Sequence, residues 1–257
     1  MYTIKQLKAV LLLAATTLSL LSSQAQPQTH SKGVKNIILV HGAFADGSSW
    51  ERVIPILHAK GYNVIAVQNP LTSLEDDVAA TRRAIASADG PVLLVAHSYG
   101  GMVITEAGAD PKVAGLVYVC ALVPNVGQSA ADVTKNFPSP GSAEFKQDAS
   151  GFLSLSYKGI HSDFAQDLPF QTRNTIYSTQ TPWSIRAVTK GVSVAAWKTK
   201  RNWFIVGKQD GMVPVALARA EAKMIGARTL ELNSSHVPML SMPDKVAGFI
   251  VGAARDL

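Results

Sequence analysis

Pro91-Val-Leu-Leu-Val-Ala-His-Ser-Tyr-Gly-Gly101 is the stretch that decides the fold. Pro91–Ala96 is a short, almost wholly apolar run, the pattern of a strand buried on both faces. A turn at His97-Ser98-Tyr99 follows, and a helix opens at the paired glycines. In such a strand–turn–helix the central serine sits on a sharp, strained turn with its hydroxyl exposed above the sheet. The flanking positions must be small, because neighbouring backbone passes close by. The usual pattern is Gly-x-Ser-x-Gly; here Ala96, the smallest alternative, holds the first position. A serine in an ordinary tight turn is the competing reading, and the strand before and helix after it favour the first.

Similar apolar runs recur along the chain at Asn36–Val40, Asn63–Val67, Val113–Cys120, Asn202–Val206 and Arg228–Leu232. Helical signals lie between most of them. Ser49 can cap a helix over Trp50–Lys60, kinked at Pro55 and ended by Gly61. Ser73 and Asp76 resemble a capping box opening a helix that reaches about Ser87. Val215–Ile225 and Pro243–Ala254 complete the set. Strands alternating with helices imply βαβ units, hence an α/β protein with a mostly parallel sheet of about six strands. From about 123 to 197 no clear buried strand appears, although Phe152, Tyr157, Phe164, Phe170, Tyr177 and Trp183 fall there. A disordered stretch would carry fewer aromatics, so this interval is expected to be an inserted cap of helices and loops.

The whole-chain totals bound the possibilities. The chain has 257 residues, 47% hydrophobic and 16% charged, enough apolar side chain for one sizeable core. No linker divides it, so residues 26–257 are expected to form a single domain. Lys5 and Lys8 precede an apolar run from Ala9 to Leu21, and Ser23-Gln24-Ala25 then offers a small-residue cleavage site. This is the layout of a secretory signal peptide over residues 1–25, which predicts a secreted or periplasmic mature protein. The apolar run falls short of the ~20 residues a spanning helix needs, so no membrane association is expected after cleavage. Losing Lys5 and Lys8 lowers the net charge from +6 to +4. The one basic cluster, Lys198-Thr199-Lys200-Arg201, lacks interleaved aromatics and reads as a solvated turn, not a nucleic-acid site. Cys120 is the only cysteine, which rules out an intramolecular disulfide and a cysteine-based zinc site.

A serine hydroxyl is a weak nucleophile unless a base takes its proton. Of the six histidines, His30 lies in the N-terminal tail, His58 in the first helix and His161 in the cap. His41 and His97 belong to turns whose geometry they support. His236 remains, in the loop after the last strand, at the sheet edge where ligands bind in doubly wound folds. A base of this kind needs a carboxylate to fix its tautomer and stabilise the imidazolium. Asp210, in Gly207-Lys-Gln-Asp-Gly211 after the preceding strand, is the candidate. An oxyanion intermediate needs donors, and the backbone N–H groups of Tyr99 and Ala43 are expected to supply them. Phe44 and Trp183 are expected to wall the substrate pocket.

Val40-His-Gly-Ala-Phe-Ala-Asp-Gly-Ser-Ser-Trp50, with Ala96-His-Ser-Tyr-Gly-Gly101 and the order Ser98, Asp210, His236, resembles the α/β-hydrolase superfamily. Within the superfamily it resembles the branch of plant methylesterases and hydroxynitrile lyases, together with many bacterial esterases of unassigned substrate. The resemblance implies cofactor-free cleavage of small carboxylic esters by a serine hydrolase, with no metal. A C–C bond hydrolase, a lactonase, or a non-catalytic small-molecule binder would use the same frame. The superfamily's dehalogenases and many of its epoxide hydrolases place an Asp where Ser98 stands. The lyases of the branch follow the first-loop histidine with threonine and the catalytic histidine with lysine. This chain has Gly42 and Val237 there, which points to the esterase.

Overall fold

Six parallel strands form the central sheet, in the spatial order Asn63–Val67, Asn36–Val40, Val92–His97, Val113–Val119, Arg201–Gly207 and Arg228–Leu232. They are β1 (Asn36–Val40), β2 (Asn63–Val67), β3 (Val92–His97), β4 (Val113–Val119), β8 (Arg201–Gly207) and β9 (Arg228–Leu232). The structure is a computed structural model and describes residues 33–257; the expected signal peptide lies outside the described residues. The inner strands β1 and β3 are buried at every position, as their uninterrupted apolar sequence requires. The edge strand β2 alternates exposed with partly or fully buried positions, and β9 is exposed at three of its five residues.

Right-handed crossovers dictate where the helices go. The chain steps one way from β1 to β2 and the other way for every later strand. Helix α1 (Ile54–Ala59) therefore covers one face, and α2 (Leu74–Ser87), α3 (Gly100–Ala107) and α8 (Val215–Met224) cover the other. Accordingly α2 packs against α3, while α1 meets α10 (Pro243–Asp256), which follows the single turn α9 (Pro238–Ser241). β1 and β3 are neighbours from which the chain departs in opposite directions, the topological switch point where ligands bind in such sheets.

Two local expectations need correction. Trp50–Lys60 is not one helix: a 3₁₀ turn over Gly47–Trp50 precedes α1, which begins only at Ile54. The capping side chain is Asp46, accepting from Ser48 N–H at 2.6 Å, not Ser49. Pro55 sits in the first turn of α1, where its missing N–H costs nothing, so it starts the helix instead of kinking it. The cap is also more than helices and loops. Besides α4 (Ala130–Thr134), α5 (Tyr157–Gly159), α6 (Phe170–Thr179) and α7 (Ile185–Thr189), it holds a three-stranded antiparallel sheet. Its strands are β5 (Phe145–Gln147), β6 (Phe152–Leu155) and β7 (Trp183–Ser184), too short to display a period of two in sequence.

The root of the cap is held by a buried acid. Val123 N–H donates to Glu221 Oε1 of α8 at 2.6 Å, and the other carboxyl oxygen is buried without a partner. Burial pushes the Glu221 carboxyl up to about 8. The folded state thus holds this proton more tightly than the unfolded chain. The resulting stability is fully present below the ordinary Glu range and is lost as pH rises through about 8. Glu221→Gln is expected to match the parent at pH 5 and to melt a few degrees higher at pH 9. Equal melting-temperature losses between pH 5 and 9 in both proteins would show that Glu221 is not the group responsible.

Candidate active site

The strand register brings the site together. Val40 pairs with Ala96, so the loop leaving β1 runs directly beside the turn leaving β3. His97 pairs with Val119, Val119 with Ile205 and Gly207 with Leu232, which aligns the carboxyl ends of β3, β4, β8 and β9. Asp210 and His236 follow a few residues beyond the last two ends.

Ser98 has φ +54°, in the left-handed region that a non-glycine residue enters at about 1–3 kcal/mol. The strain is held by backbone bonds on both sides. Ser98 N–H donates to Val119 C=O at 3.2 Å, and Ser98 C=O accepts from Gly101 N–H at 2.9 Å and Leu122 N–H at 3.2 Å. A Cβ on Gly42 would lie 2.6 Å from Ser98 Cβ, and one on Gly100 would lie 2.8 Å from His41 C=O. The small residues are therefore dictated by close approach.

His41 orients the first loop. Its Nε2 accepts Asn69 N–H at 2.9 Å, so Nδ1 carries the proton and donates to Gly42 C=O at 2.8 Å. Burial lowers its pKa and keeps the ring neutral. In a trans peptide the C=O and the next N–H point oppositely, so this bond turns Ala43 N–H away from His41. Among the described residues neither Ala43 N–H nor Tyr99 N–H donates to a protein acceptor.

His236, 1% exposed, donates Nδ1–H to Asp210 Oδ2 at 2.8 Å. Asp210 Oδ1 is fixed by Met212 N–H at 2.8 Å and Val213 N–H at 2.9 Å. A carboxylate only accepts, so Nδ1 bears the proton, and in the neutral ring Nε2 is the nitrogen with the lone pair. Two groups that sequence reasoning did not connect to this histidine clamp its backbone. His97 Nε2–H donates to His236 C=O at 2.8 Å, and His236 N–H donates to Phe164 C=O at 3.2 Å. Phe164 ends a π-helical turn, Ile160–Phe164, an irregularity frequent at functional sites. The only advance signal was His97 beside the serine.

Ser98, His236, Ala43, Tyr99, Phe44 and Trp183 all line one cavity of about 710 Å³, part of it open to solvent. Its other walls include Leu122, Phe137, Phe164 and Met212. Trp183 meets Phe44 edge-on at 6.0 Å between ring centres. Cys120 lies within 4.8 Å of the polar atoms of Asp210 and His236. Burial and the Asp210 charge push its thiol well above the usual range, so it stays neutral, whereas a metal ligand must be the thiolate. Asp244 sits in the first turn of α10, where its charge favours the helix dipole.

The sequence profile of the alpha/beta hydrolase family matches residues 37–249. The chain belongs to the α/β-hydrolase family. Within it, the chain is 27% identical to a pyrethroid hydrolase of Sphingobium wenxiniae, covering 86% of this chain and 88% of the relative. It is also 27% identical to methylesterase 7 of Arabidopsis thaliana, over 86% and 96% of the two chains. Among solved α/β-hydrolases, a pyrethroid hydrolase from Sphingobium faniae superposes with a TM-score of 0.74 at 24% identity, covering 86% and 97%.

Proposed function

We propose that this α/β-hydrolase is an exported serine esterase that cleaves small carboxylic esters through an acyl-enzyme on Ser98. The observation that carries the reading is the Asp210–His236 hydrogen bond, which in the neutral imidazole leaves the Nε2 lone pair free on a residue lining the same cavity as a strained, partly exposed serine. Relatives named as a methyl ester esterase and a methylesterase support the substrate class. Export rests on the signal-like sequence of residues 1–25.

The chemistry follows from the donor set. His236 Nε2 takes the Ser98 proton as Oγ adds to the ester carbonyl, and Asp210 stabilises the imidazolium. The oxyanion is received by Ala43 N–H and Tyr99 N–H, held in place by backbone bonds without rearrangement. Nε2–H then protonates the departing alcohol, leaving the acyl group on Ser98. Water, deprotonated by His236, adds to that acyl carbon, and collapse releases the carboxylic acid and restores Ser98.

Gly42 and Val237 set this reaction apart from cyanide elimination. A threonine at position 42 would drive its Cβ to 2.6 Å from Ser98 Cβ. Val237 is buried and supplies no cation for a departing anion, which in a water-poor site would be costly. Hydrolysis of p-nitrophenyl acetate or butyrate is therefore expected, with no cyanide release from mandelonitrile above the buffer rate. Cyanide release that disappears in Ser98→Ala would overturn the esterase reading.

A further inference from the structure

Another buried carboxylate, hydrogen-bonded to a residue of the cavity wall, takes no part in the steps above. Asp77 of α2 is 0% exposed, and each of its oxygens has a defined donor. Oδ2 accepts Tyr99 O–H at 2.8 Å, and Oδ1 accepts Leu71 N–H at 2.8 Å. We infer that Asp77 is a positioning residue that sets one oxyanion donor and the substrate-facing wall together; the inference rests on the proposed role of Ser98.

Tyr99 is the residue after Ser98. Its backbone N–H is the proposed oxyanion donor, and its ring packs on Trp183 at 4.9 Å between centres, tilted by 53°. Anchoring the phenol thus restrains both the N–H and the ring behind Trp183. Leu71 is the second arm. It sits at φ +58°, strained for a β-carbon residue, and its C=O accepts Ser184 N–H at 2.9 Å. Ser184 follows Trp183 in β7. One carboxylate therefore bonds both the turn carrying Ser98 and the loop after β2, and through Leu71 C=O that link reaches the cap strand carrying Trp183.

The helix itself does not need this carboxylate for docking. Leu74, Val78 and Ile85 already bury its apolar face. A buried charge kept only for packing would cost desolvation for no return, and a neutral isostere would serve as well or better. Burial also pushes the Tyr99 phenol well above its usual range, so it remains a donor to Asp77. The Asp77 carboxyl is itself raised to about 6 by burial, which leaves it ionised at pH 8.

The test uses Asp77→Asn, Tyr99→Phe and the double variant of the full mature chain, assayed at pH 8 on p-nitrophenyl acetate and on a bulky branched-acyl p-nitrophenyl ester. Asn at 77 can still accept Leu71 N–H through Oδ1 but turns its NH₂ towards Tyr99, whose oxygen must then accept, so the charge-assisted bond becomes a weaker neutral one of reversed direction; Phe at 99 keeps ring and backbone but deletes the O–H. Each single variant is expected to lower kcat about tenfold and to shift the acetate-to-bulky ratio of kcat/KM. Asp77→Asn should do so without a fall in melting temperature, since a buried charge is removed. The double variant should be no worse than the poorer single one, because both cut the same link. Fluorophosphonate should still label Ser98 in all three, which separates failure here from failure of the Ser98 assignment. Unchanged kcat and unchanged ester ratios, or losses that multiply in the double variant, would overturn the inference. If Asp77→Asn does not fold, Tyr99→Phe alone decides it by the same ratio.

Discussion

Ser98→Ala is expected to abolish ester hydrolysis, a loss on the order of a million-fold in turnover, while the protein folds as before. The first half follows from chemistry: without Oγ nothing forms the acyl-enzyme, and the remaining cavity offers only binding and oxyanion donors. The second half follows from the surroundings. Ser98 is partly exposed, and the bonds that hold its turn run through its backbone to Val119, Gly101 and Leu122. Removing the hydroxyl leaves no buried partner unpaired. Alanine also tolerates φ +54° no worse than serine, since both carry one β-carbon. The melting temperature should therefore stay within about a degree or two of the parent. Turnover by a Ser98→Ala protein within tenfold of the parent would mean that another nucleophile acts.

Asp210→Asn is the second large effect, roughly ten-thousand-fold in kcat with KM little changed. The carboxamide oxygen can still accept Met212 N–H and Val213 N–H, as Asp210 Oδ1 does. Its NH₂ then faces His236 Nδ1, where Asp210 Oδ2 now accepts at 2.8 Å. Two donors cannot share that bond, so the imidazole proton moves to Nε2 and the base disappears from the side it is needed on. Asp244→Asn should leave kcat intact, because that carboxylate belongs to the first turn of α10. Inactivation by Asp244→Asn but not by Asp210→Asn would reverse the assignment.

The sheet was legible because its strands announce themselves. Ile37-Ile-Leu-Val40 and Val92–Ala96 are buried on both faces, so burial alone makes them continuous apolar runs. Ser98 was legible because small residues cluster where backbones cross, and the distances at Gly42 and Gly100 show why. Other features were hidden for physical reasons. β5, β6 and β7 carry three, four and two residues, too few for any pattern. The start of α1 carries no such signal: its N-cap is Val53, without a side-chain bond, while the polar cap Asp46 belongs to the 3₁₀ turn before it. His97, Phe164 and Asp77 act across sequence separations of tens to more than a hundred residues, which no local signal reports. Trp183 was singled out as one aromatic among several in the cap. Its place against Phe44 and Tyr99 depends on β7 docking beside Leu71.

The most direct test of the account is the mass of the labelled enzyme. The protein is treated with a fluorophosphonate at pH 8, digested and mapped by mass spectrometry. Transfer of one phosphonyl group to the peptide containing Ala96-His-Ser-Tyr-Gly-Gly101, localised to Ser98 and absent in Ser98→Ala, is the predicted result. Stoichiometric labelling at any other serine, or none at Ser98 in a preparation that hydrolyses p-nitrophenyl butyrate, would contradict it.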